Sequence, residues 1–272
     1  MSDTAGRSDS ALAVPTGAVD HADRTGPSRR KYVATHLLGG ALLVTVVLVL
    51  LGLPITHLSG SGPIVRLDRT IDAWFAAHRS GTENTETVFG SGSANTQTAI
   101  AVAFAAFFLL RWWLGRWYES WVVVAAIVGE LVIFLVVTAV VHRPRPPVHR
   151  LDVAPPTSSF PSGHTGAAVA LYGCLAVIAW RYLRSSSHRR LAAVLCTFLC
   201  LIPLAVAISR AYRGMHYPSD IVAGALGGAL WLAVVLWTFK PGPDAPVSLT
   251  GPEHVMSGRR ADPATVDHPG RR

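Results

Sequence analysis

Charge and cysteine are both scarce in this chain. Only 15% of its 272 residues are Asp, Glu, Lys or Arg, against 50% hydrophobic, and the mean hydropathy is +0.38. Such a composition excludes an ordinary soluble domain and points to a membrane protein with several spans. Cys174, Cys196 and Cys200 all lie in apolar runs, leaving no disulfide framework and no C-x-x-C pair for zinc. A contiguous basic face is missing too. Of the net charge of +8, only +1 falls in residues 1–31 and +1 in residues 240–272, and the rest is scattered among short loops. Nucleic acid is therefore excluded as a partner.

Long apolar runs are what the chain does have. Crossing ~30 Å of hydrocarbon takes ~20 apolar residues as helix. Six runs qualify: Leu37 to Ile55, Thr98 to Leu114, Trp121 to Val141, Thr165 to Tyr182, Leu191 to Ile208 and Ile221 to Phe239. Arg111 lies near the end of the second, where a long cationic side chain snorkels to the headgroups. The expected fold is all-α and polytopic, with a six-span domain over residues 31–240 between disordered cytoplasmic tails at 1–30 and 241–272. Ser28-Arg29-Arg30-Lys31-Tyr32 also resembles a twin-arginine export signal. The following run is long enough to span and no A-x-A site follows, which favours an uncleaved anchor.

Lysine and arginine counts differ little between the two sets of loops, but the Arg29-Arg30-Lys31 flank and Arg181, Arg184, Arg189 and Arg190 favour both termini in the cytoplasm. Trp112, Trp113, Trp117 and Trp121 then fall at the inner boundary, as an aromatic belt or as bundle packing. Between the first two spans, Val65, Ile71, Trp74 and Phe75 fit either one face of a short helix on the outer membrane surface or a plain loop.

Polar residues concentrate in the other two outer loops. One carries His142-Arg143-Pro144-Arg145-Pro146 and then Ser159-Phe160-Pro161-Ser162-Gly163-His164 at the mouth of span four; the other carries Ser209-Arg210, His216 and Asp220 at the mouth of span six. Arg145 and Arg210 are suited to gripping phosphate oxygens bidentately. The N–H groups at Gly163 and His164 present the positive end of a helix dipole, and Ser162 adds a hydroxyl. His216 can attack phosphorus through one ring nitrogen if the other donates to a carboxylate, and Asp220, four residues on, is placed to accept. His164 is then the acid for the leaving oxygen and the base for water.

Pro161-Ser162-Gly163-His164 and Ser209-Arg210-x5-His216-x3-Asp220 resemble the second and third signature motifs of the type 2 phosphatidic acid phosphatase superfamily, which shares its helical core with vanadium haloperoxidases. The first family motif, Lys, six residues, Arg-Pro, matches at Arg145-Pro146 and departs at Thr138, where the lysine is expected. The resemblance spans roughly residues 60 to 240. It implies a metal-independent lipid phosphate or diphosphate phosphatase at the outer membrane face, working through a phosphohistidine, with no cofactor. Polyprenyl diphosphate, phosphatidate and phosphatidylglycerophosphate are its candidate substrates. Ser162, Gly163, Arg145 and Arg210 are implied to bind phosphate, His164 to act as general acid, His216 as nucleophile and Asp220 as its orienting partner. Rival readings are a lipid phosphotransferase of the same family and a catalytically silent binding or transport protein. The oligomeric state stays open.

Three further residues are ambiguous. Arg143 either replaces the cation missing at Thr138 or anchors to headgroups; Arg213 faces anionic lipid rather than a second phosphate. Glu130, in mid-span, costs ~2.5–3.5 kcal/mol if ionised. It lies 15 residues before Arg145, over ~20 Å along a helix, which favours a packing role inside the bundle.

Overall fold

The computed structural model describes residues 29–57, 62–93, 95–185 and 187–240. The tails expected at 1–30 and 241–272 lie outside the described residues, except for Arg29 and Arg30, which form the first turn of a helix. Among the described residues the chain is all-α: α1 (Arg29–His57), α2 (Pro63–Ala77), α3 (Gly81–Gly92), α4 (Thr96–Leu114), α5 (Tyr118–Val140), α6 (Gly163–Leu183), α7 (Arg189–Tyr212) and α8 (Pro218–Thr238). Six of them, α1 and α4 to α8, are long and apolar enough to cross a membrane, and they coincide with the six apolar runs.

Helix α6 sits at the centre, packed on α5, α7 and α8, while α1 closes the far side against α5 and α8. The shared core contains Leu48, Val123, Val137, Phe160, Leu171 and Val235. Trp231 on α8 reaches across to α5, donating to the carbonyls of Ala125 and Ala126 at 3.1 and 3.0 Å. Outward, Leu38, Leu42, Phe104, Phe198 and Leu201 are exposed. An apolar surface of that extent is a liability in water and is solvated in hydrocarbon. Trp112, Trp113, Trp117 and Trp121 are also exposed, as a belt at one membrane boundary requires.

The segment between the first two spans is more structured than its polar composition suggests. Both α2 and α3 are helices, and neither is a loop. On α2, Ile64, Leu67 and Trp74 point outward, whereas Asp68 and Asp72, one turn apart, are both buried at 2% exposure. The helix is amphipathic, with exposed apolar residues opposite buried acids, but of the four residues expected on its outer face only Trp74 is exposed and Val65 is buried. Helix α3 starts at a cap, the Ser80 hydroxyl accepting from the Glu83 N–H at 3.2 Å. It packs on α7, where the Tyr212 hydroxyl meets the Ser80 N–H and Asn84 Oδ1 at 3.0 Å each.

Candidate active site

The chain folds back after Val140. Residues 141–162 descend beside α5, so α6 begins deep in the bundle, and a side chain at Gly163 would collide with the ring of Phe134, six residues before the end of α5. Helix α8 starts beside it, with the Ser162 N–H donating to the Asp220 carbonyl at 2.9 Å. Gly214, at φ +68°, turns the chain sharply after α7 and directs His216 into the same space. A cavity of about 310 Å³ results, and Arg145, Gly163, His164, Arg210 and His216 all line it. A larger apolar groove of about 980 Å³ between α1, α5 and α8 contains none of the motif residues.

His216 is 3% exposed, and its Nδ1–H donates to the Ser159 carbonyl at 2.7 Å. Nε2 is thereby left with its lone pair, 3.5 Å from Nη1 of Arg145. Burial, then the nearby charges of Arg210 and Arg145, hold the ring well below the usual histidine range despite the bond to Ser159, so it is neutral at physiological pH. Arg145 also donates to the Met215 carbonyl at 2.7 Å and to Thr157 Oγ1 at 3.3 Å. Arg210 donates to Ser91 Oγ at 2.8 Å and to Asp152 Oδ2 at 3.1 Å. The Nε–H groups of Arg145 and Arg210 are buried and have no partner among the described residues. Unspent buried donors of this kind are rare in folded proteins and mark a place for an acceptor.

Asp220 does not reach the histidine ring. Its carboxylate contacts the Ser159 hydroxyl, the Arg143 guanidinium and the Tyr217 N–H, the last at 3.1 Å. The acceptor on Nδ1 is the Ser159 backbone, and Asp220 acts one residue removed, fixing Ser159 by its hydroxyl. Arg143 is neither a headgroup anchor nor a cavity residue. At 5% exposure, it is clamped between Asp220 and Asp68 Oδ2, the latter at 2.7 Å, donates to Ser219 Oγ at 2.7 Å and lies over the Tyr217 ring. With its donors taken by carboxylates, it does not supply the cation missing at Thr138. Thr138 is buried with its hydroxyl unpartnered and does not line the cavity. Ser162 also stands back from the cavity, its hydroxyl 3.0 Å from that of Thr165. Arg213 faces no lipid: it is buried and pairs with Asp152 at 2.6 Å. Burial alone would raise Asp152, but Arg213 and then Arg210 hold its carboxyl below the usual range.

Glu130 needs the largest revision. Because the chain doubles back, distance along α5 is no guide, and Glu130 lines the cavity beside His164. Ser159, Asp68, Asp72, Asp152 and Ser91 were also not assigned from sequence. Asp68 and Asp72 had a usable signal, two acids four residues apart opposite an apolar stripe. The others had none, since their partners are distant in the chain.

Asp72 gives a pH-dependent prediction. Both its oxygens are buried without a hydrogen-bond partner among the described residues. Burial, then Asp68 and Asp220, raise its pKa from 3.8 to about 7 against the pull of Arg143. Between those two values the folded protein holds a proton that the unfolded chain has lost, so stability falls as pH rises through that window. Asp72→Asn should flatten this slope: in thermal unfolding across pH, its midpoint should exceed that of the parent protein above neutrality and converge with it in acid. Parallel curves would show that Asp72 is not the group responsible.

The PAP2 superfamily model matches residues 119–242. The bacitracin transport permease protein BcrC of Bacillus licheniformis is 29% identical over 144 residues, covering 50% of this chain and 64% of that protein, so the chain spans slightly less than two thirds of that relative. The crystal structure of a transmembrane PAP2 type phosphatidylglycerolphosphate phosphatase from Bacillus subtilis is similar with a TM-score of 0.58 at 18% identity, covering 75% of this chain and 94% of the other. At that identity the likeness establishes the fold, that of an integral membrane protein.

Proposed function

We propose that this chain, whose residues 119–242 match the PAP2 superfamily model, is a member of that superfamily and a membrane phosphatase that hydrolyses a lipid phosphate or diphosphate through a phosphohistidine. The observation that carries the reading is the neutral His216 Nε2 facing a cavity where Arg145 and Arg210 each hold a buried, unpartnered N–H. In the first step Nε2 bonds to phosphorus as the ester oxygen leaves with its electron pair, and His164 supplies that oxygen's proton. In the second, His164 takes a proton from water, whose oxygen displaces Nε2 and releases inorganic phosphate. Arg145, Arg210 and the α6 N-terminus bear the charge spread over the equatorial oxygens. Ile100, Ile127, Leu131 and Leu135 also line the cavity, an apolar stretch that suits the lipid part of the substrate.

The name of the Bacillus licheniformis relative makes transport the second reading. Purified protein in detergent, given phosphatidate, phosphatidylglycerophosphate and a polyprenyl diphosphate in the presence of chelator, should release inorganic phosphate from at least one. Binding without release would favour the transport reading, and transfer of the phosphoryl group to an added alcohol would favour a phosphotransferase.

The site is expected to face outward with both termini in the cytoplasm, from the basic flank of α1 and the arginines between α6 and α7. In intact cells, Arg150→Cys should react with an impermeant maleimide and His188→Cys should not. The reverse labelling would place the chemistry in the cytoplasm.

A further inference from the structure

Among the described residues Glu130 is the one acidic side chain lining the catalytic cavity, and the mechanism above does not use it. It is 8% exposed and has no hydrogen-bond or ion-pair partner among the described residues. The fold makes room for it: a side chain at residue 166 would collide with Glu130 Oε1, and only glycine there leaves the carboxyl its place. The same gap is bordered by the Gly224 carbonyl, which is an acceptor and donates nothing. Ile127, Leu131 and Phe134, beside it on the cavity wall, donate nothing. A carboxyl so placed is completed by a donor that arrives with the ligand.

We infer that Glu130 is a specificity-determining residue that accepts a hydrogen bond from a hydroxyl on the substrate's lipid moiety, close to the phosphate. The inference rests on the lipid phosphatase reading and narrows it. Gly166 lies three residues after Gly163, so Glu130 sits about one helical turn, ~4.5 Å, below the N-terminus that receives the phosphate. That offset suits a group a few bonds from phosphorus. An ammonium there would be repelled by Arg145 and Arg210, and a second phosphate would lose its hydration beside a carboxyl that offers it no positive charge. A neutral hydroxyl fits both. The favoured substrate class is therefore a glycerol-type phosphomonoester with a free hydroxyl, over a phosphate on a plain alkyl or prenyl chain.

A matched pair tests this: a 1-acyl-glycerol 3-phosphate and its 2-deoxy counterpart with the same chain. Turnover is measured on the parent protein, and binding by calorimetry in detergent on His216→Ala, alone and combined with each Glu130 substitution. The hydroxylated member should be preferred by about tenfold or more in kcat/KM and in Kd, as for a hydrogen bond to a carboxylate. In Glu130→Leu the ratio should fall to near one, and Glu130→Gln, which retains an acceptor, should keep most of it. Glu130→Ala, which adds no bulk against Gly166, serves if the leucine variant does not fold. Absence of the preference, or its persistence in Glu130→Leu or Glu130→Ala, overturns the inference. Phosphate release from both lipids at a ratio near one would sink Glu130's role alone. A Glu130-dependent binding preference without phosphate release would sink the phosphatase reading alone.

Discussion

His216→Ala is expected to lower the rate of phosphate release by about 10⁴-fold or more, the scale on which loss of a nucleophile acts in other hydrolases. The Nδ1 bond to Ser159 fixes which edge of the imidazole faces the cavity, so the substitution removes Nε2 from it. Single-turnover phosphate release, alongside a thermal unfolding curve to establish that the variant is folded, measures the effect. Activity within tenfold of the parent protein would rule out a histidine-bound intermediate. The same geometry sets the acid side of the profile. With the ring held well below the usual histidine range by burial and by Arg210 and Arg145, protonation of this residue should not limit kcat/KM until well under neutrality.

Arg143→Ala should be the most damaging change to the fold. Its guanidinium is the cation between Asp68 and Asp220, with Asp72 unpaired nearby, and all four residues are at most 5% exposed. Removing one partner of a buried ion pair typically costs ~3–5 kcal/mol because the remaining charge is stranded. Here two carboxylates would be stranded at once. Thermal unfolding in detergent should show a large loss for Arg143→Ala and a partial recovery when Asp68→Asn is added. Activity should fall as well, since Asp220 holds Ser159, which in turn holds His216. An Arg143→Ala protein as stable as its parent would mean that water replaces the guanidinium.

Most of the architecture was legible because hydrocarbon solvation is a strong and local constraint. Each of the six spans appears as an apolar run whose limits lie within a few residues of the helix, except at α1, which extends through the basic flank to Arg29. The convergence of Arg145, His164, Arg210 and His216 was legible for a related reason, as loops on one side of a bundle meet. What stayed hidden depends on contacts across the chain. Helix α3 has a loop-like composition and is held by Tyr212 and Ser209 of α7. Four residues of spacing placed Asp220 near His216, but the strongest available cation, Arg143, captured the carboxylate, and a backbone carbonyl took its place at the ring. Glu130 was misjudged because counting along a straight helix takes no account of a chain that returns beside it.

The glycines of α6 and α8 have a mechanical consequence. A side chain at Gly224 would collide with the Ser162 carbonyl, and one at Gly228 with the Gly166 backbone, so the two helices touch main chain to main chain. The turn bearing His164 and the helix bearing Asp220 thus behave as one rigid block, with no compressible side chains between them to absorb movement. If the substrate is a lipid, the part of the cavity lining free to yield to its chain is that of Ile100 on α4 and Leu131 on α5, which are 61% and 46% exposed. On that reading the block formed by α6 and α8 would stay still while the cavity widens on the α4–α5 side.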